Sequence, residues 1–150
     1  MKLALDTSYL LFIVNFVSCA FKLTEVDRVI SFSSDIDVVS IPGSKYFIEG
    51  ITEWDNHVLP IFNLRKWFNL QENVYKDREW VIIIIKIDNE KYGFLVDNVI
   101  SIATLEMLQK STANGEAEIS MPVDKRFIRE IIYINCHPFI ILELEQLFHL

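Results

Sequence analysis

The sequence predicts an all-β fold with short helices, built from two similar halves. Residues 127–150 repeat residues 47–70 without a gap, and eight of the 24 positions are identical, where composition alone would give about two. Most of the identical residues are apolar, so they indicate packing positions. Segments with the apolar pattern of strands also outnumber those with helical spacing. The chain is therefore expected to use one fold twice.

The earlier parts of the two halves correspond in apolar spacing more than in identity. Residues 9–32 and 80–102 each contain an apolar run, a short polar turn and a second apolar run. A half of about 70 residues has only a marginal core of its own. We therefore expect a single domain over residues 1–150, with halves at about 9–72 and 78–150 packed on each other. The matching apolar positions are Phe21/Phe94, Leu23/Val96, Val26/Val99 and Val29/Ile102.

Strands are expected in order along the first half. Two apolar runs lie within residues 9–32, and residues 42–44 (PGS) mark a loop. Residues 45–53 and 58–64 then read as a strand pair around a turn at residues 54–57.

The second half begins with the strongest strand signal of the chain. Residues 81–87 (VIIIIKI) are nearly all β-branched, which is typical of a strand covered on both faces. A polar break at residues 88–90 precedes another apolar run at residues 91–99. These two strands are expected to form a hairpin.

Helices are predicted in three short places only. Helical spacing occurs at residues 65–70, 104–110 and 143–148. Residues 111–118 (STANGEAE) are the most loop-like segment. The result is a compact β-rich body with short helices.

Charge and composition exclude several classes of partner. The chain is 51% hydrophobic and 23% charged, with a net charge of −7. This composition suits a globular core. Nucleic acids and anionic membrane surfaces require a concentrated basic face, whereas the 14 Lys and Arg are scattered. Neither is therefore expected as a main partner.

Two cysteines are too few for a disulfide framework. Cys19 and Cys136 each lie within an apolar run, which indicates buried free thiols and a cytoplasmic location. An alternative is a lipid-anchored protein, because residues 16–19 loosely resemble the cleavage site of bacterial lipoproteins. The apolar run at residues 8–21 is too short to span a bilayer.

The sequence offers no constellation for catalysis, cofactor binding or metal binding. Its four glycines form no phosphate-binding motif. Cys136 and His137 are neighbours in a predicted strand and would point to opposite faces, away from a common metal. His57 and His137 occupy equivalent positions before a strand, which favours a shared turn role. We therefore expect a protein that is not an enzyme.

Four motifs resemble the CheW family of chemotaxis coupling proteins. Residues 92–99 (YGFLVDNV) are similar to the family signature of Gly, two hydrophobic residues, Val-Asp, any residue and Val. Residues 41–43 (IPG), 46–51 (YFIEGI) and 58–65 (VLPIFNLR) are similar, in order and spacing, to the first half of the family. The correspondence covers residues 9–150.

The resemblance implies a fold and a role. The fold would be two pseudo-symmetric, five-stranded SH3-like β-barrels packed around a shared core. The role would be that of an adaptor, without catalytic activity or cofactor, between the cytoplasmic tip of chemoreceptors and the regulatory domain of the histidine kinase CheA. The groove that faces the receptor would lie between the halves, at positions Val26, Gly50, Val99 and Ile102. The alternative is that Val26, Val99 and Ile102 are ordinary core residues.

The sequence departs from the family at this expected surface. The family turn Asn-Leu-Arg-Gly is replaced by Glu53-Trp54-Asp55-Asn56, and Arg28 stands where the family commonly has Glu. Arg28 and Asp55 could therefore form the usual ion pair with reversed polarity. They could equally be two unrelated surface positions.

A second departure is Glu130, which stands where the second half of family members often has Gly. It matches Gly50 in the repeat, and Glu would need another backbone conformation there.

Three functions are compatible with these residues. The first is a CheW-like adaptor between receptors and kinase. The second is a module of the same fold that has lost kinase coupling and docks to another signalling protein. The third is the secreted or lipid-anchored β-protein suggested by residues 16–19.

Overall fold

The computed structural model describes residues 8–33, 36–70, 80–104, 107–109 and 123–145. Most of these residues are in strands, which confirms the prediction of a β-rich fold. The elements, in chain order, are β1 (Tyr9–Val14), β2 (Val17–Lys22), β3 (Val26–Ser31), β4 (Ile48–Trp54), β5 (His57–Asn63), α1 (Leu64–Trp67), β6 (Val81–Ile87), β7 (Glu90–Val96), β8 (Asn98–Ala103), β9 (Leu108–Gln109), β10 (Ile128–Ile134) and β11 (His137–Leu142).

The strands form two sheets, and each sheet contains strands from both halves of the sequence. One sheet has the order β8-β1-β2-β11-β10-β9, and the other has the order β3-β6-β7-β5-β4. The hairpin β1–β2 thus lies among the strands of the second half, and the hairpin β6–β7 lies among those of the first half. The two halves exchange their first hairpins.

The strand pairing repeats along the chain, as the sequence repeat predicts. In β4–β5, Ile51 pairs with Pro60, and in β10–β11 the residues numbered 80 higher, Ile131 and Ile140, form the same pair. Both hairpins shift register at the equivalent point, after Ile48 and after Ile128. The pairs β3–β6 and β8–β1 also correspond, but with an offset of 73 residues. Val29 pairs with Ile83, and their equivalents Ile102 and Leu10 pair with each other.

The shared core lies between the two sheets, and a smaller core lies on the other face of each. Residues of both sheets build the shared core, including Phe12, Phe21, Ile83, Phe94 and Ile140. One smaller core contains Leu11, Ala20, Ala103, Ile134, Phe139 and Ile141. The other contains Leu59, Ile61, Ile82, Ile84 and Leu95.

Strand β6 connects two of these cores. Its residues Ile83 and Ile85 belong to the shared core, while Ile82 and Ile84 belong to a smaller one. Successive side chains of a strand point to opposite faces. The prediction that this continuous apolar run is buried on both faces is therefore confirmed.

The expected barrels are not closed by hydrogen bonds among the described residues. Each sheet has two edge strands, and the sheet that contains β1 has a sixth, two-residue strand, β9. In the other sheet, the edges are β3 and β4. After β3, the described chain reaches the edge of β4, where Val39 forms one antiparallel bridge with Ile51.

Three hairpins have two-residue turns whose residues both have positive φ. These turns are Asp55–Asn56, Asp88–Asn89 and Asn135–Cys136, with φ between +50° and +67°. Positive φ at both positions is the geometry of the type I′ turn, which suits the twist of a hairpin. Asn and Asp tolerate this conformation better than other residues with a side chain, so Asp55 and Asn56 can replace the Arg and Gly of the family turn without disturbing the hairpin.

The prediction that both cysteines are buried in strands is wrong for Cys136. Cys19 is buried in β2, and burial raises the pKa of its thiol. Cys136 is exposed in the β10–β11 turn at φ +64°. The strand pattern misplaced it because the hydrophobic run from residue 131 to residue 142 continues through a turn that has only two residues.

The helix predictions have mixed outcomes. The helix expected at residues 65–70 is present as α1, where the Asn63 side chain accepts a hydrogen bond from the Lys66 N–H. Within residues 104–110, by contrast, Leu108 and Gln109 form β9 against β10. Residues 111–118 and residues 146–148, the second half of the helix expected at 143–148, lie outside the described part of the chain. Among the described residues, no helix is long and apolar enough to cross a membrane.

Gly50 in β4 meets a steric requirement that Glu130 does not. Its φ is +149°, and a Cβ at this position would collide with the backbone carbonyl of Val39. Glu130, the equivalent residue of β10, does not have positive φ. Gly50 is therefore needed because the backbone of Val39, paired with the edge of β4, approaches it closely. The second half has adopted another local conformation, as its Glu predicted.

Replacing Gly50 with Ala should destabilise the protein by about 1–3 kcal/mol, because Ala adds both the strained φ and the collision with Val39. Chemical denaturation would measure this change. Gly43 provides a control, since its φ is +77° but a Cβ there would contact nothing within 4 Å. If Gly43→Ala lowers the stability as much as Gly50→Ala does, the collision with Val39 does not contribute to the loss.

Candidate functional site: the rim of the shared core

Three of the expected partner-binding residues lie on the sheet faces that enclose the shared core. Val26 pairs with Ile85, Val99 with Phe12, and Ile102 with Leu10. These three partners are all buried in the shared core. Since paired residues of a ladder project to the same face, Val26, Val99 and Ile102 form a rim of the shared core, on the edge strands β3 and β8.

The rim residues differ in exposure. Val26 and Val99 are half-buried and pack against the shared core. Ile102 is 46% exposed. The rim is thus neither fully core nor fully surface, and Ile102 is the member that can be reached from solvent. Val29, the equivalent of Ile102 on β3, is similarly exposed at 40%.

Gly50 lies apart from this rim. It pairs with Ile61, which belongs to the smaller core on the opposite face of the sheet. It is also buried beneath Val39. A contribution of Gly50 to binding would therefore act through the segment around Val39, which it allows to pair with the edge of β4.

Arg28 and Asp55 do not form the predicted reversed ion pair. No ion pair between described residues joins them. The guanidinium of Arg28 instead lies 5.9 Å from the ring centroid of Trp54, within the range of a cation–π contact. The reason is local: Arg28 pairs with Ile84 and Trp54 packs on the same smaller core, whereas Asp55 lies beyond the end of β4, in the turn.

A buried ion pair joins two of the motifs that carry the family resemblance. The Nη2 group of Arg65, at the start of α1, donates to both carboxylate oxygens of Asp97 at 2.7 Å. Both side chains are about 95% buried. The guanidinium also lies 4.3 Å from the ring centroid of Trp80. The sequence signal for this pair was present, because each residue is the single charge in its motif, but their contact was not predicted.

Asp97 lies where the chain passes from one sheet to the other. It falls between β7, in one sheet, and β8, in the other. Its backbone N–H donates to the carbonyl of Ile13 in β1 at 3.0 Å. Its carboxylate is held by Arg65, which follows β5. The ion pair therefore fixes the crossover that leads directly into the rim residues of β8.

Several surface polar groups interact without forming a recognisable reaction centre. Ser18 Oγ and His137 Nε2 are 2.9 Å apart on the surface. Burial, and then hydrogen bonding to Glu90, raise the pKa of Tyr92 to about 12. Burial alone would raise the pKa of Glu49, but hydrogen bonds from Lys66 and Asn63 outweigh it and lower that pKa. No group of three or more His, Cys, Asp or Glu in the described part of the chain could hold a metal ion.

Comparisons with known proteins agree with the motifs. The family model of the CheW-like domain matches residues 8–150. Two relatives, each named chemotaxis protein CheW, are 27% identical over 95 residues (Thermotoga maritima, 63% of this chain) and 23% identical over 115 residues (Treponema pallidum, 75% of this chain). The matches span 60% and 66% of the lengths of these relatives.

The fold is also similar to a solved structure. The crystal structure of the scaffolding protein TtCheW from Thermoanaerobacter tengcongensis matches with a TM-score of 0.77 and 22% identity, over 97% of this chain and 94% of that one. At this identity, the similarity concerns the arrangement of the chain alone.

Proposed function

Since the chain belongs to the family of CheW-like domains, whose model matches residues 8–150, we propose that it is a non-enzymatic, cytoplasmic adaptor in chemotaxis that couples chemoreceptors to a CheA-type histidine kinase. The nearly full-length family match is the observation that supports this role. The names of the relatives, chemotaxis protein CheW and scaffolding protein, agree with it.

The proposal includes the organisation of the chain. One CheW-like domain spans residues 1–150, with residues 9–72 and 78–150 as its repeated halves. The five longer strands of each sheet correspond to one five-stranded SH3-like barrel. The Val39–Ile51 bridge and the contact of Arg28 with Trp54 support a barrel in the sheet that contains β6, because both connect its β3 side to β4.

The proposed partner surface consists of two parts. The rim residues Val26, Val99 and Ile102 supply apolar contacts for the receptor tip. Arg28, Gly50 and Asp55 shape the surface around the β4–β5 hairpin. An apolar residue that is half exposed at such a rim is a suitable binding contact, since a partner can still bury the remaining surface.

Changing Ile102 to Asp should weaken receptor binding by about ten-fold or more in a folded protein, because a charge would have to be buried at the contact. Binding can be measured by titration with a soluble receptor cytoplasmic fragment and with the regulatory domain of the kinase. The control is Ile41→Asp, which changes an isoleucine of similar exposure, 41%, in the connection before β4. If the native protein and the Ile102 variant bind the receptor fragment equally well, the rim is not part of the partner surface.

A second function is favoured by the hairpin that departs from the family. Trp54 and Asp55 replace the Leu and Arg of the family turn, and Arg28 is engaged by Trp54 rather than by a carboxylate. A module with this altered surface could dock to a different signalling protein and lack kinase coupling. Titration with the kinase regulatory domain separates the two functions, because only the adaptor binds it.

A further inference from the structure

A cleft of about 800 Å³ lies between β3 and the β4–β5 hairpin. Apolar side chains on both sides line it, notably Ile30, Val39, Ile51, Trp54 and Val58. Val39 and Val58 are 57% and 69% exposed. The cleft also borders the two edges of the five-stranded sheet. Among the residues that the structure describes, β3 pairs only with β6, and β4 pairs only with β5 and with Val39.

The bridge between Val39 and Ile51 stops after one pair, and the next residues indicate why. Backbone hydrogen bonds of 2.8 and 2.9 Å join Val39 and Ile51 in both directions. Continued by two residues in the same antiparallel register, the ladder would place Asp37 directly opposite Glu53. Like charges at directly opposed positions destabilise a strand pair. Within the described segments, the outer edge of β4 therefore carries no further pair at Glu53.

The charge of the cleft is acidic in the described residues. Asp37 and Glu53 both line it and are exposed, and neither belongs to an ion pair among the described residues. The guanidinium of Arg28, on β3, is directed to Trp54. A cationic side chain placed between the two carboxylates would relieve their repulsion.

We propose that this cleft binds an extended segment of a partner protein in which Lys or Arg alternates with apolar residues. The segment pairs with the backbone of β4 at Glu53, beyond the bridge between Val39 and Ile51. Its basic side chain lies between Asp37 and Glu53, and its apolar side chains cover Val39 and Val58. Strand addition uses the unpaired backbone of a sheet edge for affinity and alternate side-chain contacts for specificity. A second copy of this chain is disfavoured as occupant because both copies carry a net charge of −7.

This inference deepens the proposed function, because it gives the chemistry of one segment of a signalling partner. The inference depends on the proposed function in one respect: the molecule that occupies the cleft is taken to be a protein. The probe is a fluorescein-labelled peptide of nine residues in which Val alternates with Lys. The comparison peptide has Glu in place of every Lys. Binding is followed by fluorescence anisotropy, and the site is located by amide NMR shifts.

The Lys peptide should bind. The amides of the protein whose NMR shifts change most on binding should be those around Ile51 and Glu53. The double variant Asp37→Asn, Glu53→Gln should bind it about ten-fold more weakly, since two charge-assisted contacts are lost. The control variant Glu130→Gln removes an exposed carboxylate from β10 and should leave the affinity within about two-fold of native. The Glu peptide should bind more weakly than the Lys peptide at every salt concentration.

Equal binding of the two peptides, native affinity in the double variant, or shifts centred away from β4 would each overturn the inference. Titration of the same proteins with the kinase regulatory domain and the receptor fragment keeps the two proposals apart. If these partners bind native protein while the peptide test fails, the inference is wrong and the adaptor function stands. If the peptide binds at β4 while neither partner binds, the inference stands and the adaptor function is wrong.

Discussion

Replacing Asp97 with Ala is expected to lower the free energy of unfolding by about 3–5 kcal/mol, among the largest effects of any single substitution in this chain. The variant leaves the Arg65 guanidinium buried without its carboxylate, and a buried charge without a partner is strongly unfavourable. The aromatic ring of Trp80 would remain as a contact of the guanidinium, but a cation–π contact is worth only about 0.5–2 kcal/mol.

Urea denaturation of native protein and variant would measure this loss. The matched control is Asp27→Ala, because Asp27 pairs with Lys91 at 3.3 Å while both side chains are partly exposed. That change should cost about 1 kcal/mol or less. Similar losses for the two variants would contradict the role of burial. The double variant Arg65→Met, Asp97→Val should recover much of the stability, since apolar replacement of a buried pair is often close to neutral.

Ile61→Ala and Ile141→Ala should each cost about 2–5 kcal/mol, because each removes burial and leaves a cavity. Ile61 is fully buried in one smaller core, and Ile141 is 97% buried in the other. The two residues occupy equivalent strand positions in β5 and β11. The repeat therefore predicts comparable losses at two sites that are 80 residues apart in the sequence.

Thermal or chemical denaturation would test this pair of variants. Ile41→Ala is the control, because Ile41 is 41% exposed and its truncation should change stability by about 0.5 kcal/mol or less. An unchanged stability in either core variant would contradict the assignment of that residue to a core.

The strands and their repeat could be predicted because they depend on local pattern. The predicted strand at residues 81–87 coincides with β6, since a β-branched run of that length has few alternatives. The 73-residue offset between Val26 and Val99, inferred from spacing alone, recurs in the ladders β3–β6 and β8–β1.

The exchange of hairpins could not be predicted in the same way. Each half could in principle pair its own first hairpin with its own later strands, and the same apolar faces would be buried. Apolar spacing fixes which face of a strand is buried, but not which copy of an equivalent neighbour covers it. The two arrangements are distinguished by the four pairings that join the halves: β1 with β8, β2 with β11, β3 with β6, and β5 with β7.

The candidate site was predictable in part, through the resemblance to the CheW family. Val26, Val99 and Ile102 all lie on the shared-core side of their sheets, on the edge strands β3 and β8 of two different sheets, while Arg28 contacts Trp54 instead of Asp55. The Arg65–Asp97 pair was missed because charged residues at strand ends are usually solvated, and the sequence gives no distance between two ends that are 32 residues apart. Cys136 was misplaced because a two-residue turn hardly interrupts an apolar pattern.

The exchanged hairpins also determine when the protein can fold during its synthesis. Strand β2 pairs in parallel with β11 through Cys19 and Ile140, residues that are 121 positions apart. At a translation rate of about 5–20 residues per second, β2 waits roughly 6–24 s before its neighbour leaves the ribosome. During that time, Phe12 and Phe21 of the first hairpin have no completed core to cover them. Such distant pairing slows folding and lengthens the exposure of apolar surface, so the nascent chain is expected to depend on chaperones until its last strand is made.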